Sequence, residues 1–235
     1  MRALVLLVLL VSGVVSAEDK MLKVAVNIGP PWAYFEEEQG VIGIDVDIIN
    51  HALGKMGYGA EFHLLAYNRV IKEFNEGKFD IASPAAFPAE EGAFTQPYLP
   101  YKDVAVSLKD KKLTINSVSD LSDKRVVAYQ FAHTVLGERF AGAVNSEGYL
   151  EIAEREVQLT LLVNNKTDVV VGEKRLLEYI MRAHYGQISL TVHPIFEQKS
   201  YGAVFKEKAL QQKFDAALRQ MKQDGSYQAI LARWP

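Results

Sequence analysis

The segment 42–57, IGIDVDIINHALGKMG, lies between two apolar stretches, LKVAVNI (22–28) and EFHLLAY (61–67). Both stretches are rich in β-branched and aromatic residues, which favour strands. Asp45 is a candidate N-cap for a helix between them, and Gly57 would end that helix. The apolar residues of the segment fall on one helical stripe: Val46, Ile49, Leu53 and Met56. A strand, a helix and a strand in this order predict a β-α-β unit with a right-handed crossover.

The alternation continues along the chain. RVIKEFNEG (69–77) predicts a short amphipathic helix, and FDIASPA (79–85) predicts a third strand. A second series of strands and helices fills 103–197. A last strand (201–205) and two helices are too few to form a third domain, so they dock on one of the two units. The predicted fold class is α/β, with two units built on open, mainly parallel sheets.

The composition is that of an ordinary soluble globular protein. The chain has 235 residues, 49% of them hydrophobic and 23% charged, with a net charge of −3. It has no basic run or stripe, so no nucleic-acid partner is expected.

The first residues, MRALVLLVLLVSGVVSA (1–17), place one Arg before an apolar run that ends in small residues. This pattern is typical of a secretory signal peptide cut after Ala17. The run is too short to favour the alternative, a membrane anchor. The chain has no Cys, which excludes disulfides and a lipid anchor on a cysteine. We therefore expect a mature protein that is free in solution.

No local motif indicates an enzyme, a metal or a cofactor. The chain lacks a phosphate-binding GxxxxGK[ST] and a GxSxG elbow, and the glycines at 54, 57 and 59 sit at a helix end. The histidines share no metal-ligand spacing: His51, His63, His133, His184 and His193.

Candidate ligand-binding residues lie where predicted strands end, because open α/β sheets bind ligands at the carboxyl ends of their strands. For Trp32, core packing and ligand contact are equally good interpretations, and for Tyr67 and Phe87 packing is slightly favoured. The candidates are Trp32, Tyr67, Arg69, Ser83, Ala85, Phe87, Gln130, His133, Thr134 and Glu173.

Seven segments in order resemble the periplasmic solute-binding proteins of the polar amino-acid type, which are the family 3 extracellular solute-binding proteins of ABC transporters. The resemblance covers essentially the whole mature chain. The segments are GPPWAYFEEEQGVIGIDVDIINHALGKMGY (29–58), FNEGKFDIA (74–82), FTQPYLPY (94–101), LSDKRVVAYQ (121–130), NNKTDVVVGE (164–173), YGAVF (201–205) and MKQDGSYQAILARW (221–234).

The resemblance implies two lobes joined by two crossing strands, with a ligand in the cleft and closure of the lobes around it. The first lobe would take 18–98 and 201–235, and the second 102–197. The crossings would lie at 99–101 and 198–200.

The family's usual ligand is an α-amino acid, whose carboxylate meets an Arg in a Thr-Pro-x-Arg pattern and whose amino group meets an acidic residue. In this chain the first pattern reads Phe87-Pro88-Ala89-Glu90, so Glu90 stands in place of the cation. The acidic position is kept as Glu173, and the loop that usually reads Gly-Thr-Thr is Ala132-His133-Thr134.

The missing Arg is energetically important. A buried carboxylate without its charged partner costs about 2–5 kcal/mol, whereas a micromolar binder has only about 8 kcal/mol in total. Either Arg69 reaches the cleft to replace the missing cation, or the ligand is an amine or other cation held by Glu173 and aromatic faces. A solvated Arg69 side chain is an equally good interpretation of that residue.

The expected function is capture of a small polar metabolite, amino-acid-like or an amine, and its presentation to a membrane ABC permease or a membrane sensor. We expect a monomer without a cofactor. Two alternatives stay open. One is an enzyme like the cyclohexadienyl dehydratases, with Glu173 as a general acid. The other is a degenerate scaffold that binds a protein partner.

Overall fold

The computed structural model describes residues 20–144 and 147–234. The predicted signal peptide, 1–17, lies outside the described residues. Two five-stranded sheets form the centres of two lobes, as the two-unit interpretation predicted.

The first sheet has the strand order β4-β1-β5-β14-β6. The apolar face of α1 packs between this sheet and the two C-terminal helices, which explains why the terminal elements return to the first lobe. The elements of this lobe are β1 (Lys20–Asn27), β2 (Tyr34–Glu36), β3 (Gly40–Ile42), α1 (Ile44–Lys55), β4 (Tyr58–Leu65), α2 (Tyr67–Asn75), β5 (Ile81–Ser83), β6 (Ala93–Phe94), β14 (Val204–Phe205), α7 (Lys208–Asp224) and α8 (Ser226–Arg233).

The second sheet has the strand order β10-β9-β11-β8-β12. Helix α6 packs on it through four buried apolar residues, Leu176, Leu177, Ile180 and Met181. The elements of this lobe are β8 (Asp103–Leu108), β9 (Val126–Ala128), α3 (Ala132–Val135), α4 (Glu138–Ala143), β10 (Tyr149–Glu151), α5 (Arg155–Val163), β11 (Val169–Glu173), α6 (Lys174–Tyr185) and β12 (Leu190–His193).

Two short strands join the lobes. Strand β7 (Leu99–Tyr101) runs antiparallel to β13 (Lys199–Tyr201), with Tyr101 opposite Lys199. Taking this pair as the limit between the lobes, we propose boundaries at 99–101 and 198–200.

Two details of the sequence-based prediction were wrong. Each sheet has two parallel and two antiparallel pairings, so the sheets are mixed rather than mainly parallel. The antiparallel pairings arise because β8 and β14, each of which follows a crossing strand, run opposite to the other strands of their sheets. Asp45 is not the N-cap of α1. Gly43 takes that position, and the Asp45 carboxylate is buried where it accepts a 3.0 Å hydrogen bond from the Tyr98 hydroxyl.

Of the helices in the described part of the chain, none combines the length and the apolar character needed to cross a membrane.

Candidate ligand-binding site

A cavity of about 60 Å³ lies between the two lobes, next to the crossing strands, and it adjoins a second cavity of about 150 Å³. Asn27, Gly29, Tyr67 and Arg155 line both, so the two cavities form one cleft. The central cavity is lined by Asn27, Gly29, Trp32, Tyr67, Pro84, Ala86, Tyr101, Asp103, Tyr129, Val135, Arg155, Glu173, Leu176 and Tyr201.

Two carboxylates stand side by side in the central cavity. Asp103 begins β8 and Glu173 ends β11, and the antiparallel pairing of these strands puts the two residues directly opposite each other. Both are largely buried, with 6% and 7% of their surface exposed. Burial, and then the charge of Glu173, raises the pKa of Asp103 to about 6. Like charges at opposed positions repel, so this pair favours a cation nearby.

Glu173 is held tightly by hydrogen bonds from both lobes. Its Oε2 accepts a 2.7 Å bond from the Trp32 indole Nε1–H of the first lobe. The same oxygen accepts a 2.9 Å bond from the Leu176 backbone N–H, which makes Glu173 the N-cap of α6. Burial raises the pKa of Glu173, and these donors, with the backbone N–H groups of Arg175 and Lys102, oppose that rise.

Arg155 is the only Lys or Arg among the described residues that line the central cavity. It begins α5, where its Nη1 donates to the carbonyl oxygens of Ala153, at 2.8 Å, and Ile152, at 3.4 Å. Its guanidinium lies 5.3 Å from the centre of the Tyr129 ring. Burial lowers the pKa of Arg155.

Asp103, Glu173 and Arg155 take part in none of the ion pairs found between the described residues. A buried charge without a partner is costly, so the cleft is suited to a ligand that brings opposite charges to these groups.

Aromatic rings enclose the carboxylates. The Trp32 and Tyr101 rings are 4.3 Å apart, and the Tyr101 and Tyr201 rings are 5.7 Å apart, centre to centre. Tyr67 and Tyr129 complete the wall. Such faces attract cations through their negative π-electron density and exclude anions from close approach.

Four of the ten residues proposed from the sequence lie in this cleft. Trp32, Tyr67 and Glu173 line the central cavity, and Gln130 lines the adjoining one. Trp32 is only 2% exposed and is also part of the hydrophobic core, so core packing and a position in the cavity wall are both realised.

Four other proposed residues lie beside the cleft. Ala85, Phe87 and Thr134 line a shallow outer groove next to it. Ser83 is completely buried under the wall, where its hydroxyl forms a 3.1 Å hydrogen bond with the Tyr98 hydroxyl.

The structure does not bring Arg69 or His133 into the cleft. The Arg69 side chain is 59% exposed and forms an ion pair of 2.8 Å with Glu73, one helical turn away. The His133 side chain is 52% exposed and pairs with Glu151 at 2.7 Å. The solvated interpretation therefore describes Arg69, and the cation in the cleft is Arg155.

Four residues of the cleft were not predicted from the sequence, and a reason can be given for each. Arg155 directly follows the stretch YLEIAE (149–154), so the rule of strand carboxyl ends could have found it. Asp103 lies at the amino end of its strand. It reaches the cleft edge only because β8 runs antiparallel to β11. Tyr101 and Tyr201 belong to the crossing strands, which the sequence marked as connectors rather than as walls.

Comparison with known proteins gives the same two-lobe architecture. An arginine-binding periplasmic protein of Mannheimia haemolytica is 27% identical over 97% of both chains. The solved structure of an ancestral arginine-binding protein bound to arginine matches with a TM-score of 0.78 and 22% identity, covering 91% of this chain and 97% of that one. A histidine kinase sensor domain similar to periplasmic binding proteins matches with a TM-score of 0.80 and 22% identity, covering 92% and 96%.

The family model that describes bacterial extracellular solute-binding proteins, family 3, matches residues 22–235, nearly the whole chain. This match confirms the resemblance found in the sequence, and the chain belongs to the family 3 bacterial extracellular solute-binding proteins.

Proposed function

We propose that the protein captures a small solute with a cationic nitrogen, either a basic amino acid or an amine, in the cleft between its lobes. The observation that carries this proposal is the charge of the central cavity, where Asp103 and Glu173 outnumber Arg155. A ligand with a net charge of +1 would neutralise the set, and a ligand with a net negative charge would add to its repulsion.

The aromatic wall supports the same ligand class. Trp32, Tyr101, Tyr129 and Tyr201 line the same cavity as the two carboxylates. A cation–π contact contributes about 0.5–2 kcal/mol, most where the cation is desolvated. The relatives described as arginine-binding proteins support a basic amino acid in particular.

A carboxylate on the ligand would have one natural partner, Arg155. The lost Arg of the first lobe is not replaced by Arg69, which is bound to Glu73 at the surface. Arg155 lies in the second lobe, close to the two acidic residues. The carboxylate and the cationic nitrogen of an amino acid would therefore both bind to the second lobe.

We propose that the protein works in the periplasm, secreted with a cleaved signal peptide, free of a lipid anchor, and as a monomer. Closure of the lobes on the solute would present it to an ABC permease or to a membrane sensor. The dehydratase and protein-scaffold alternatives receive no support from the family, whose members are described as solute-binding proteins.

The test is a thermal-shift and calorimetric screen of the purified protein. L-Arginine, L-lysine and agmatine should raise the melting temperature, whereas L-glutamate and succinate should not. Arg69→Ala, a surface change on the first lobe, should leave the affinities unchanged. Tighter binding of L-glutamate than of every cationic probe would refute the proposal.

A further inference from the structure

Glu173 stands at the position that the family resemblance assigns to the ligand's amino group. In this chain, other groups of the protein already donate hydrogen bonds to it. Glu173 has two carboxylate oxygens with about four acceptor sites in total. Oε2 already receives Trp32 from one lobe and Leu176 from the other, and further backbone donors lie close to the group. A ligand nitrogen would find Oε2 already engaged and would compete with donors that the protein itself supplies.

Asp103 is in the opposite situation. The only hydrogen bond of its carboxylate among the described residues is a long one, 3.3 Å, accepted by Oδ2 from the Tyr129 hydroxyl. The residue is 6% exposed, lines the central cavity and has no ion-pair partner in the described part of the chain. Most of its acceptor capacity is thus unused in a buried place, which is unusual for a carboxylate in a folded protein.

The surroundings of Asp103 contain one acidic neighbour, several hydroxyl groups and two cations that are held elsewhere. Arg155 donates to Ala153 and Ile152, and the Lys199 ammonium donates to the Val135 carbonyl oxygen at 2.8 Å. The titratable and charged groups that face it are Glu173, Tyr101, Tyr129, Arg155, Lys199 and Tyr201.

From this difference we infer that Asp103 is the residue that receives the ligand's cationic nitrogen, and that Glu173 is a positioning residue that holds the closed lobes together through Trp32. This inference rests on the proposed function and assigns the specificity of its site to a residue outside the family's usual position. A cation at Asp103 also reduces the repulsion between the two opposed carboxylates.

The test compares two matched variants, Asp103→Asn and Glu173→Gln, each of which removes one negative charge and keeps the size of the side chain. L-Arginine and agmatine are the probes, and isothermal titration calorimetry at pH 6 in two buffers of different ionisation enthalpy gives affinity and proton release. Asp103→Asn should weaken binding of both probes roughly 10- to 100-fold, the value of a charge-assisted hydrogen bond. It should also abolish the proton release that accompanies binding to the wild type.

Glu173→Gln should keep the proton release, even where loosened closure lowers its affinity. The inference is overturned if Asp103→Asn binds as tightly as the wild type, or if proton release persists in Asp103→Asn and disappears in Glu173→Gln. Asp103→Ser repeats the test if the Asn variant does not fold. Failure of the wild type to bind either probe would instead refute the proposed function, so the two failures are distinguishable.

Discussion

Replacing Trp32 by Phe should weaken ligand binding without unfolding the protein. The change removes one indole N–H, which donates to Glu173 across the cleft at 2.7 Å. The phenyl ring of the variant can still pack against Tyr101, whose ring centre lies 4.3 Å from that of Trp32. The variant therefore removes the hydrogen bond but keeps most of the aromatic packing.

The size of the effect follows from the kind of bond that is lost. A hydrogen bond to a buried charged group contributes about 1.5–3 kcal/mol. The bond joins the two lobes, so we expect it to break when they separate and water solvates the Glu173 carboxylate. Its loss thus destabilises the closed form relative to the open form, and the apparent affinity should fall roughly 10- to 100-fold.

The chain provides a matched control. Trp234 is the other of its two Trp residues, and its Nε1 also donates at 2.7 Å to a carboxylate, that of Asp47 on α1. That bond lies within the first lobe, so Trp234→Phe should leave closure and affinity unchanged. It also leaves Trp32 as the only Trp, whose fluorescence then reports on the cleft.

The assay is isothermal titration calorimetry with L-arginine, supported by small-angle X-ray scattering of both variants with and without ligand. Trp32→Phe should have a larger radius of gyration at a given ligand concentration than Trp234→Phe. Equal affinities of the two variants would refute the idea that the Trp32–Glu173 bond stabilises closure.

Three further predictions concern pH, charge recognition and backbone geometry. Burial raises the pKa of Asp103 to about 6, and a bound cation should lower this pKa. The affinity for L-arginine should therefore fall roughly tenfold from pH 7 to pH 5, because Asp103 becomes protonated. A constant affinity by calorimetry would contradict this. Arg155→Gln should weaken L-arginine roughly tenfold more than agmatine, which has no carboxylate, and equal losses for the two probes would count against a carboxylate contact. Gly43→Ala should lower the free energy of unfolding in urea by at least about 2 kcal/mol, because Gly43 has φ 142° and an added Cβ would lie 2.2 Å from the Trp32 carbonyl oxygen; an unchanged denaturation midpoint would disprove that reasoning.

Much of the fold was predictable because it depends on local patterns. Of the predicted apolar stripe, Val46, Ile49 and Leu53 are buried on α1, whereas Met56 follows the helix as its C-cap and is half-buried. The apolar stretches 22–28 and 61–67 form most of strands β1 and β4. The direction of β8 was not predictable in this way, because an apolar strand has the same pattern whether its neighbours run parallel or antiparallel to it.

The candidate site was predictable only in part, for the same reason. Trp32 follows β1 and Glu173 ends β11, and such positions at the carboxyl ends of strands can be identified in the sequence. Arg69 follows a strand as well, yet the first turn of α2 directs it to solvent and to Glu73. The end of a strand indicates a location in the sheet, but it does not determine where a long charged side chain points.

The sequence by itself determined the order of strands and helices, the two α/β units and the absence of the family's usual arginine. Each of these features depends on residues that are close together in the sequence. Only the tertiary structure decided which charges meet. Asp103 and Glu173 become neighbours through the antiparallel register of β8 and β11, and Arg155 joins them from the start of α5. These contacts join residues far apart in the chain, and they depend on strand direction and lobe closure, which no local pattern specifies.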